Sequence, residues 1–569
     1  MVHSFKNFSK RRFRNFSFLV LLFSIAACNS EKRPAAIEIV TKPEQMDVKS
    51  PDIIKGLLKE GKLYNGRIDD SLTLRQSLAV DSLYQPKEYN TFWSAEGRWI
   101  PITDSLVDFI ANSKLYGLFP EDYHLQHLKS IQARMVADTF SRKDRLDAAL
   151  WARVDLLLTD ALVQLISDLK LGRLPADSIT LRKDSVLNNE FYKQQFEKIF
   201  KYASIHSIVD SLEPVHAGYH ELKAALKNFL DSADFKKYSL INYPSYDTLS
   251  LKKTVQKRLF ESGFIDFYEP VADSMQFASA LKKYQLQMGL KADGKIGDET
   301  VHSLNDFDRE KFIRIAITLD RYKLLPEQMP SKYLWVNLPA FYMRLIDHDT
   351  LKLFSKIVVG KPFTRTPVLT SSLTDMITYP QWTIPQSIIT KEILPATKKD
   401  PGYISRKGYS LVDSKGEEVD PYFVDWSLYK KIIPFKVVQG SGDDNALGIL
   451  KFNFNNKYAV YLHDTNQRYL FSRSTRALSH GCVRVQEWEK LAYYILNNDS
   501  LNARSNNFTR IDSVRKWLSQ KEKHVIIVRN KLPLFIRYFT CDSKDNKVVF
   551  YDDIYSEDKR LRDRYFHDK

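Results

Sequence analysis

One cysteine and two histidines lie close together in the C-terminal part of the sequence. His463 precedes the run Ser479-His480-Gly481-Cys482-Val483-Arg484. A thiol needs a base to become a thiolate, and the thiolate is the attacking species in acyl transfer. The pattern therefore predicts a cysteine nucleophile, Cys482, with an imidazole as its base. A buried structural cysteine beside two unrelated histidines is the alternative.

These residues also resemble the signature of the L,D-transpeptidases, which cross-link peptidoglycan stem peptides with a catalytic cysteine. The resemblance implies that Cys482 forms a thioester with the donor peptide and that His463 is the general base. It further implies that the backbone carbonyl of Asp464 orients the imidazole, although the Asp464 carboxylate could do the same. His480 is a competing base, but it lies almost next to Cys482 and is less free to face the sulfur.

The rest of the run predicts how substrate is held. Gly481 allows close backbone approach, and the N–H groups around it, with Ser479 in the same loop, suggest an oxyanion hole and substrate contact. Arg484 could bind a stem-peptide carboxylate bidentately, or form a surface salt bridge. If the resemblance holds, Tyr461 and Trp382 line the donor groove; otherwise they belong to the core.

The N-terminus reads as a targeting segment, residues 1–28. A basic stretch precedes the apolar stretch Phe16–Ala27, which is too short to span a bilayer. The ending Ile25-Ala26-Ala27-Cys28 resembles a bacterial lipobox, which implies lipidation of Cys28; an ordinary secretory signal is the alternative. We therefore expect a periplasmic protein anchored to a bacterial membrane by lipid, with residues 29–48 as a polar linker.

The formal net charge is +16. A secreted lipoprotein does not meet nucleic acid, so anionic cell-wall polymer is the partner that this charge favours, although a lysine-rich surface without a partner explains it equally well. No metal-binding motif occurs, and exchanging one amide for another needs no cofactor and no ATP. Cys541 is expected to be a free, packed cysteine, since a disulfide with Cys482 would block the nucleophile.

The order of patterns predicts a multi-domain α+β protein. Residues 49–248 carry helical apolar stripes and resemble the scaffold domain of the large Gram-negative L,D-transpeptidases. Residues 250–305 resemble a small three-helix peptidoglycan-binding domain through Tyr284-Gln285, Asp293-Gly294 and their neighbours; a helical spacer that binds no glycan is the alternative.

Residues 306–545 are expected to form a mostly-β catalytic domain in which a strand ends at His463. A loop-rich insert, about 386–435, would cap the site, and 546–569 would be a C-terminal extension. The predicted function is a peptidoglycan L,D-transpeptidase, which implies a role in cell-wall organisation and cell shape and a target for carbapenems. An L,D-carboxypeptidase or endopeptidase on the same scaffold, or a catalytically silent wall-binding lipoprotein, remains open.

Overall fold

The structure, a computed structural model, describes residues 36–95, 97–141, 146–183, 186–266, 268, 274–502 and 508–569. The signal segment with Cys28 lies outside these residues, so its lipidation stays a prediction. Within the described ranges, no helix combines the length and the apolar character needed to cross a membrane.

The N-terminal half is a group of helices around one central helix, α5. The helices are α1 (Glu44–Leu63), α2 (Ser77–Tyr84), α3 (Pro101–Ala111), α4 (Leu125–Ser141), α5 (Ala148–Lys170), α6 (Asn189–Tyr202), α7 (His206–Leu212) and α8 (Ala217–Ser232). The Asp147 carboxylate caps α5 by accepting from the N–H groups of Ala149 and Leu150. Helix α5 is buried on nearly every face because neighbouring helices surround it.

The start of the described chain differs from the expected linker over 29–48. Short strands β1 (Ile39–Val40), β2 (Ser94–Ala95), β3 (Arg98–Trp99) and β4 (Leu146–Asp147) form two small pairs, β1 with β4 and β2 with β3. Val40 and Met46 are buried against the first turns of α5. Apolar side chains within a mostly polar segment therefore fix its described part to the helical domain, and the linker prediction is wrong there.

Three helices follow between the scaffold and the catalytic half. They are α9 (Thr248–Glu261), α10 (Ser274–Gln287) and α11 (Asp298–Asn305), and they share a core of their own. The Gln285 side chain explains the Gln and Asp-Gly pattern: its amide donates to Thr300 Oγ1 at 3.0 Å and its oxygen accepts from the Gly294 N–H at 2.8 Å. The three-helix architecture is present; glycan binding by it stays a prediction.

Helix α12 (Asp308–Tyr322) leads into the mostly-β half. The first strands there are β5 (Lys332–Asn337), β6 (Tyr342–Asp347), β7 (Thr350–Gly360) and β8 (Leu369–Thr378). Strands β5, β6 and β7 form an antiparallel meander. After β8 the chain leaves the main sheet and builds a separate layer.

This layer occupies the place of the predicted insert and is more regular than the loop-rich segment that we expected. Its elements are β9 (Trp382–Thr383), α13 (Gln386–Ile388), α14 (Leu394–Lys399), α15 (Tyr403–Arg406), β10 (Tyr409–Val412), β11 (Glu418–Val419) and β12 (Lys436–Gln439). The strands pair in the order β11-β10-β12-β9 over a separate apolar core. We name residues 382–439 the cap.

The remaining elements complete the main sheet. They are β13 (Leu450–Phe454), β14 (Leu462–His463), β15 (Ala477–Ser479), β16 (Val483–Val485), α16 (Trp488–Leu501), α17 (Ile511–Ser519), β17 (Val525–Ile527) and β18 (Pro533–Arg537). The order is β13-β14-β16-β7-β6-β5-β18-β8, and β8 also pairs with β13, so the sheet closes on itself. Strands β15 and β17 add to β7 and β8.

The last residues are not the extension that we expected over 546–569. Strands β19 (Cys541–Lys544) and β20 (Lys547–Phe550) form a hairpin that straddles the predicted boundary, and α18 (Glu557–Tyr565) packs on α12. Phe566 is fully buried in a cluster that includes Phe119 of the helical half and Phe312 of α12. The C-terminus therefore joins the two halves.

The contact between the C-terminus and the helical half, which we name the C-terminal joint, contains a buried carboxylate. Asp122 is 1% exposed and pairs with three cations: Arg75 at 3.0 Å, Arg173, and Lys569, the last residue, at 2.6 Å. Removing a buried charge that has several partners is costly, because Lys569, which is itself buried, would lose its counter-charge, and so in part would the more exposed Arg75 and Arg173.

We therefore expect Asp122→Asn to lower the free energy of unfolding of the helical half by about 3–5 kcal/mol, measured by urea denaturation followed by circular dichroism. The control is Asp70→Asn, since Asp70 is 94% exposed and its pair with Arg67 should contribute less than about 1 kcal/mol. Equal, small effects of both substitutions would show that the C-terminal joint does not stabilise the fold.

Candidate active site

Parallel pairing of β14 and β16 brings the predicted catalytic residues together. Leu462 lies opposite Val483, and His463 lies opposite Arg484. Side chains alternate along a strand, so Tyr461 and His463 share one face with Cys482 and Arg484. The Val483 N–H donates to the Tyr461 carbonyl at 3.1 Å, which holds the register directly beside the cysteine.

The loop before Cys482 is fixed by hydroxyl groups. Gly481 has φ +123°, a conformation that favours glycine. Ser479 Oγ accepts from the Gly481 N–H at 3.1 Å and donates to the Cys482 carbonyl at 2.6 Å. Thr366 Oγ1 donates to the Gly481 carbonyl at 2.8 Å.

This arrangement corrects two expectations. The Gly481 N–H is already used by Ser479, so it is not a free donor for an oxyanion. Ser479 itself is 2% exposed, and its hydroxyl holds the loop instead of facing a substrate. Both residues position the thiol, which itself is only partly buried.

The orientation of His463 comes from the main chain. Its Nδ1–H donates to the carbonyl oxygen of Asp464 at 2.5 Å. A carbonyl can only accept, so Nδ1 carries the proton and Nε2 carries the lone pair of the neutral ring. The Leu447 carbonyl also lies close to the imidazole and favours its protonated form. The Asp464 carboxylate has other partners, the Ile449 N–H and Arg468, both at 3.1 Å. Of the two predicted alternatives, the structure therefore has the carbonyl.

Burial keeps both reacting groups neutral at rest. Loss of hydration, and then the nearby charge of Arg484, lower the pKa of His463 to about 3. Burial also raises the pKa of the Cys482 thiol, and this is partly opposed by hydrogen bonds from Tyr461 and by the charges of Lys451 and Arg484. The resting site is a neutral thiol beside a neutral imidazole, so the proton must move during the attack.

Tyr461 connects the two groups. Its hydroxyl hydrogen bonds to the sulfur of Cys482, and its ring centroid lies 5.7 Å from that of His463. Burial is the main cause that raises the pKa of Tyr461 far above its usual value, so it stays a hydroxyl. Trp382, at the start of the cap, lies beside this hydroxyl and interacts with it, which partly offsets the effect of burial on the pKa of Tyr461.

Arg484 is held without a counter-ion. Its guanidinium donates to Gln467 Oε1 at 2.9 Å and Thr465 Oγ1 at 3.3 Å, both neutral acceptors. Its Nε is buried without a partner, and no carboxylate of the described chain lies within ion-pair distance. The alternative of a surface salt bridge is therefore not found, and donors remain for an incoming carboxylate.

His480 is directed towards the cap. Its Nε2 hydrogen bonds to Glu392 Oε1 at 2.6 Å, and the imidazole is partly exposed. Because this nitrogen is engaged by a carboxylate of the cap, the prediction that His480 competes as the base is not supported. Its contact instead links the cysteine loop to the cap.

Two residues of the site were missed from the sequence. Thr366 fixes Gly481, as described above, and Lys451 lies on β13 directly opposite His463. Strand β13 alternates buried and half-buried side chains, so a lysine among its apolar residues was a visible signal. No cluster of side chains suited to a metal ion occurs among the described residues.

The neutral imidazole has a consequence for stability. The pKa of His463 is about 3 in the folded protein, against an ordinary 6.5 when unfolded, so the unfolded chain takes up the proton first as the pH falls. The stabilisation is present above about pH 6.5 and is lost as the pH falls from there towards 3. We expect His463→Gln to lose less stability than wild type between pH 7 and pH 4, measured as the shift of the urea midpoint; equal shifts would contradict the assignment.

Two family models match the chain. Residues 78–226 match the scaffold domain, and residues 331–502 match the L,D-transpeptidase catalytic domain. A curated Haemophilus influenzae protein, which carries the provisional name of L,D-transpeptidase, is 32% identical over 331 residues. This match covers 57% of the present chain and 65% of the relative's length.

Solved structures of L,D-transpeptidases also match. One from Mycobacterium smegmatis is 11% identical, with 36% of this chain and 58% of that chain covered and a TM-score of 0.17. One from Stackebrandtia nassauensis is 14% identical, with 45% and 91% covered and a TM-score of 0.15. Scores this low add nothing to the sequence matches. The family model and the curated relative agree that the domain which holds His463 and Cys482 is similar to the L,D-transpeptidase catalytic domain.

Proposed function

We propose that this protein is a peptidoglycan L,D-transpeptidase that works through a thioester on Cys482. The observation that carries the proposal is the fixed tautomer of His463, with Nε2 left basic on the face of the sheet that also holds Cys482. A base must present a free lone pair to the thiol that it activates, and this hydrogen bond supplies that lone pair.

The first half-reaction is acylation. The Cys482 sulfur attacks a donor amide carbonyl of a tetrapeptide stem while His463 Nε2 takes the thiol proton. The C–N bond then breaks, His463 returns the proton to the leaving amine, and the acyl group stays on sulfur as a thioester.

The second half-reaction reverses these roles. An acceptor amine attacks the thioester, His463 takes a proton from that amine, and the thiolate leaves and is reprotonated. The number of amide bonds is unchanged, so no external energy source is needed.

Substrate contacts follow from unused donors. Arg484 has neutral partners and a buried Nε without an acceptor, so we assign to it a carboxylate of the stem peptide. Trp382 lies beside the Tyr461 hydroxyl at the start of the cap, where a peptide entering under the cap would meet both side chains. Tyr461 and Trp382 thus stay in the role predicted from the sequence, as walls of the donor groove.

The acceptor separates transfer from hydrolysis. Water in place of an amine would make the enzyme an L,D-carboxypeptidase or an endopeptidase. We favour the amine because the catalytic domain matches the L,D-transpeptidase model and the curated relative carries that name.

Outside the catalytic domain we propose that residues 250–305 bind glycan and that lipid on Cys28 anchors the protein to a membrane on its periplasmic side. The support is the sequence pattern at each place together with the positive net charge, which suits an anionic cell wall.

Intact-protein mass after incubation with a carbapenem tests the nucleophile. We expect one adduct on wild type and none on Cys482→Ala. Cys541→Ala should behave as wild type, because Cys541 is buried and burial raises the pKa of its thiol to about 12.

Muropeptide analysis with the same three proteins tests the reaction. New cross-linked dimers should form with wild type and Cys541→Ala and be absent with Cys482→Ala. Shortened stems without dimers, in the presence of an amine acceptor, would identify a hydrolase; identical products from all three proteins would refute the proposal.

The anchor has its own test. We expect the full chain expressed in a Gram-negative host to be recovered in the membrane fraction and released by detergent, because acyl chains bury apolar surface in the bilayer. Cys28→Ser should be recovered as soluble periplasmic protein. Equal partitioning of both forms would show that Cys28 is not lipidated.

A further inference from the structure

Lys451 lies in the site but has no role in the reaction written above. It lies on β13 directly opposite His463, and β14 separates it from the strand that follows Cys482. Its Nζ lies 4.0 Å from the centre of the Tyr461 ring, and the hydroxyl of that ring hydrogen bonds to the sulfur. The Lys451 ammonium, the Tyr461 ring and the Cys482 thiol therefore lie in a row across three neighbouring strands.

The charged and titratable groups around the thiol come from three strands, β13, β14 and β16, or from residues next to them. Lys451 belongs to β13, Tyr461 and His463 belong to β14 or its start, and Arg484 belongs to β16. Arg484 is held by Gln467 and Thr465. Lys451 has no carboxylate within ion-pair distance in the part of the chain that the structure describes. Burial lowers the pKa of Lys451, and the charges of Cys482 and of Asp375 on β8 partly oppose this.

We propose that the Lys451 ammonium tunes the site by reducing the cost of forming the Cys482 thiolate and by disfavouring a positive charge on the His463 imidazole. The proposal rests on the function assigned to these two residues. Lys451 is a positioning residue, since it acts on the thiol through the field across Tyr461 and does not touch the reacting carbonyl.

The physical reason is the dryness of the site. Removing water from around a thiol disfavours its anion, and a nearby cation offsets this effect, most strongly where water screens it least. The same cation disfavours a second positive charge on the imidazole opposite it. The directions of the two pKa values agree: the charge of Lys451 lowers the pKa of Cys482 and also lowers that of His463.

The test measures the thiol alone, without peptidoglycan. The rate of alkylation of Cys482 by iodoacetamide is followed from pH 6 to 10 by peptide-level mass spectrometry, which separates this site from Cys541. Lys451→Met keeps the length of the side chain and removes the charge; Lys451→Arg keeps the charge. Lys457→Met is the matched control, because Lys457 is exposed and lies over another tyrosine ring, that of Tyr458, at 5.3 Å.

We expect Lys451→Met to slow alkylation at pH 8 about tenfold, because the thiolate fraction falls tenfold for each unit by which the pKa rises. The whole profile should move to higher pH, Lys451→Arg should restore most of the rate, and Lys457→Met should match wild type. Near-UV circular dichroism establishes that each variant is folded.

Two results would overturn the proposal. The first is an unchanged profile for Lys451→Met, which together with a raised KM for stem peptide would make Lys451 a substrate ligand. The second is an Lys451→Arg variant as slow as Lys451→Met. A shifted alkylation profile in a protein that makes no cross-links would support the role of Lys451 and refute only the transpeptidase function.

Discussion

The parallel pairing of β14 with β16 is the constraint on which the site depends. It places His463 opposite Arg484 and Tyr461 beside Cys482, although the segment 464–481 separates the two strands in the sequence. Because the side-chain period of a strand is two, a slip by one residue would turn the imidazole or the thiol to the other face of the sheet. The closed sheet makes such a slip costly, since β14 and β16 are both held on their outer sides by β13 and β7.

In this arrangement, burial determines the protonation of Cys482 and His463 more than ion pairing does. A thiolate–imidazolium pair at rest would require two charges in a place with little water, and the structure supplies cations near the thiol but no carboxylate hydrogen bonded to the imidazole. The main-chain carbonyl of Asp464 orients His463 without adding charge. A site that is neutral at rest and charged only during attack keeps the cost of desolvating ions out of the ground state.

The sequence predicted the parts of the site that depend on short spacing. Cys482 and His463 were recognisable because their residue types and order carry the chemistry, and the three helices between 250 and 305 because their periodicity is local. The hydrogen bonds made by Ser479, Gly481 and His480 could not be predicted in this way. Each depends either on a loop conformation or on a partner that is distant in the sequence. Thr366 and Glu392 are such partners, and only folding brings them near this loop.

The same reason explains the errors at the domain boundaries. Residues 29–48 and 546–569 are polar enough to resemble a linker and a tail, yet a few apolar side chains decide their place: Met46 in the first and Phe566 in the second. A short segment with one large apolar residue gives no periodic signal, so only tertiary packing reveals it.

Two contacts join the catalytic loop and the chain end to other parts of the molecule. His480 next to the nucleophile holds Glu392 of the cap, and Lys569 at the chain end holds Asp122 of the helical half. The cap also contributes Trp382, which lies beside Tyr461. In the proposed function, a peptide that reaches Cys482 would displace or share these contacts, so the cap would take part in substrate recognition as well as cover the cysteine.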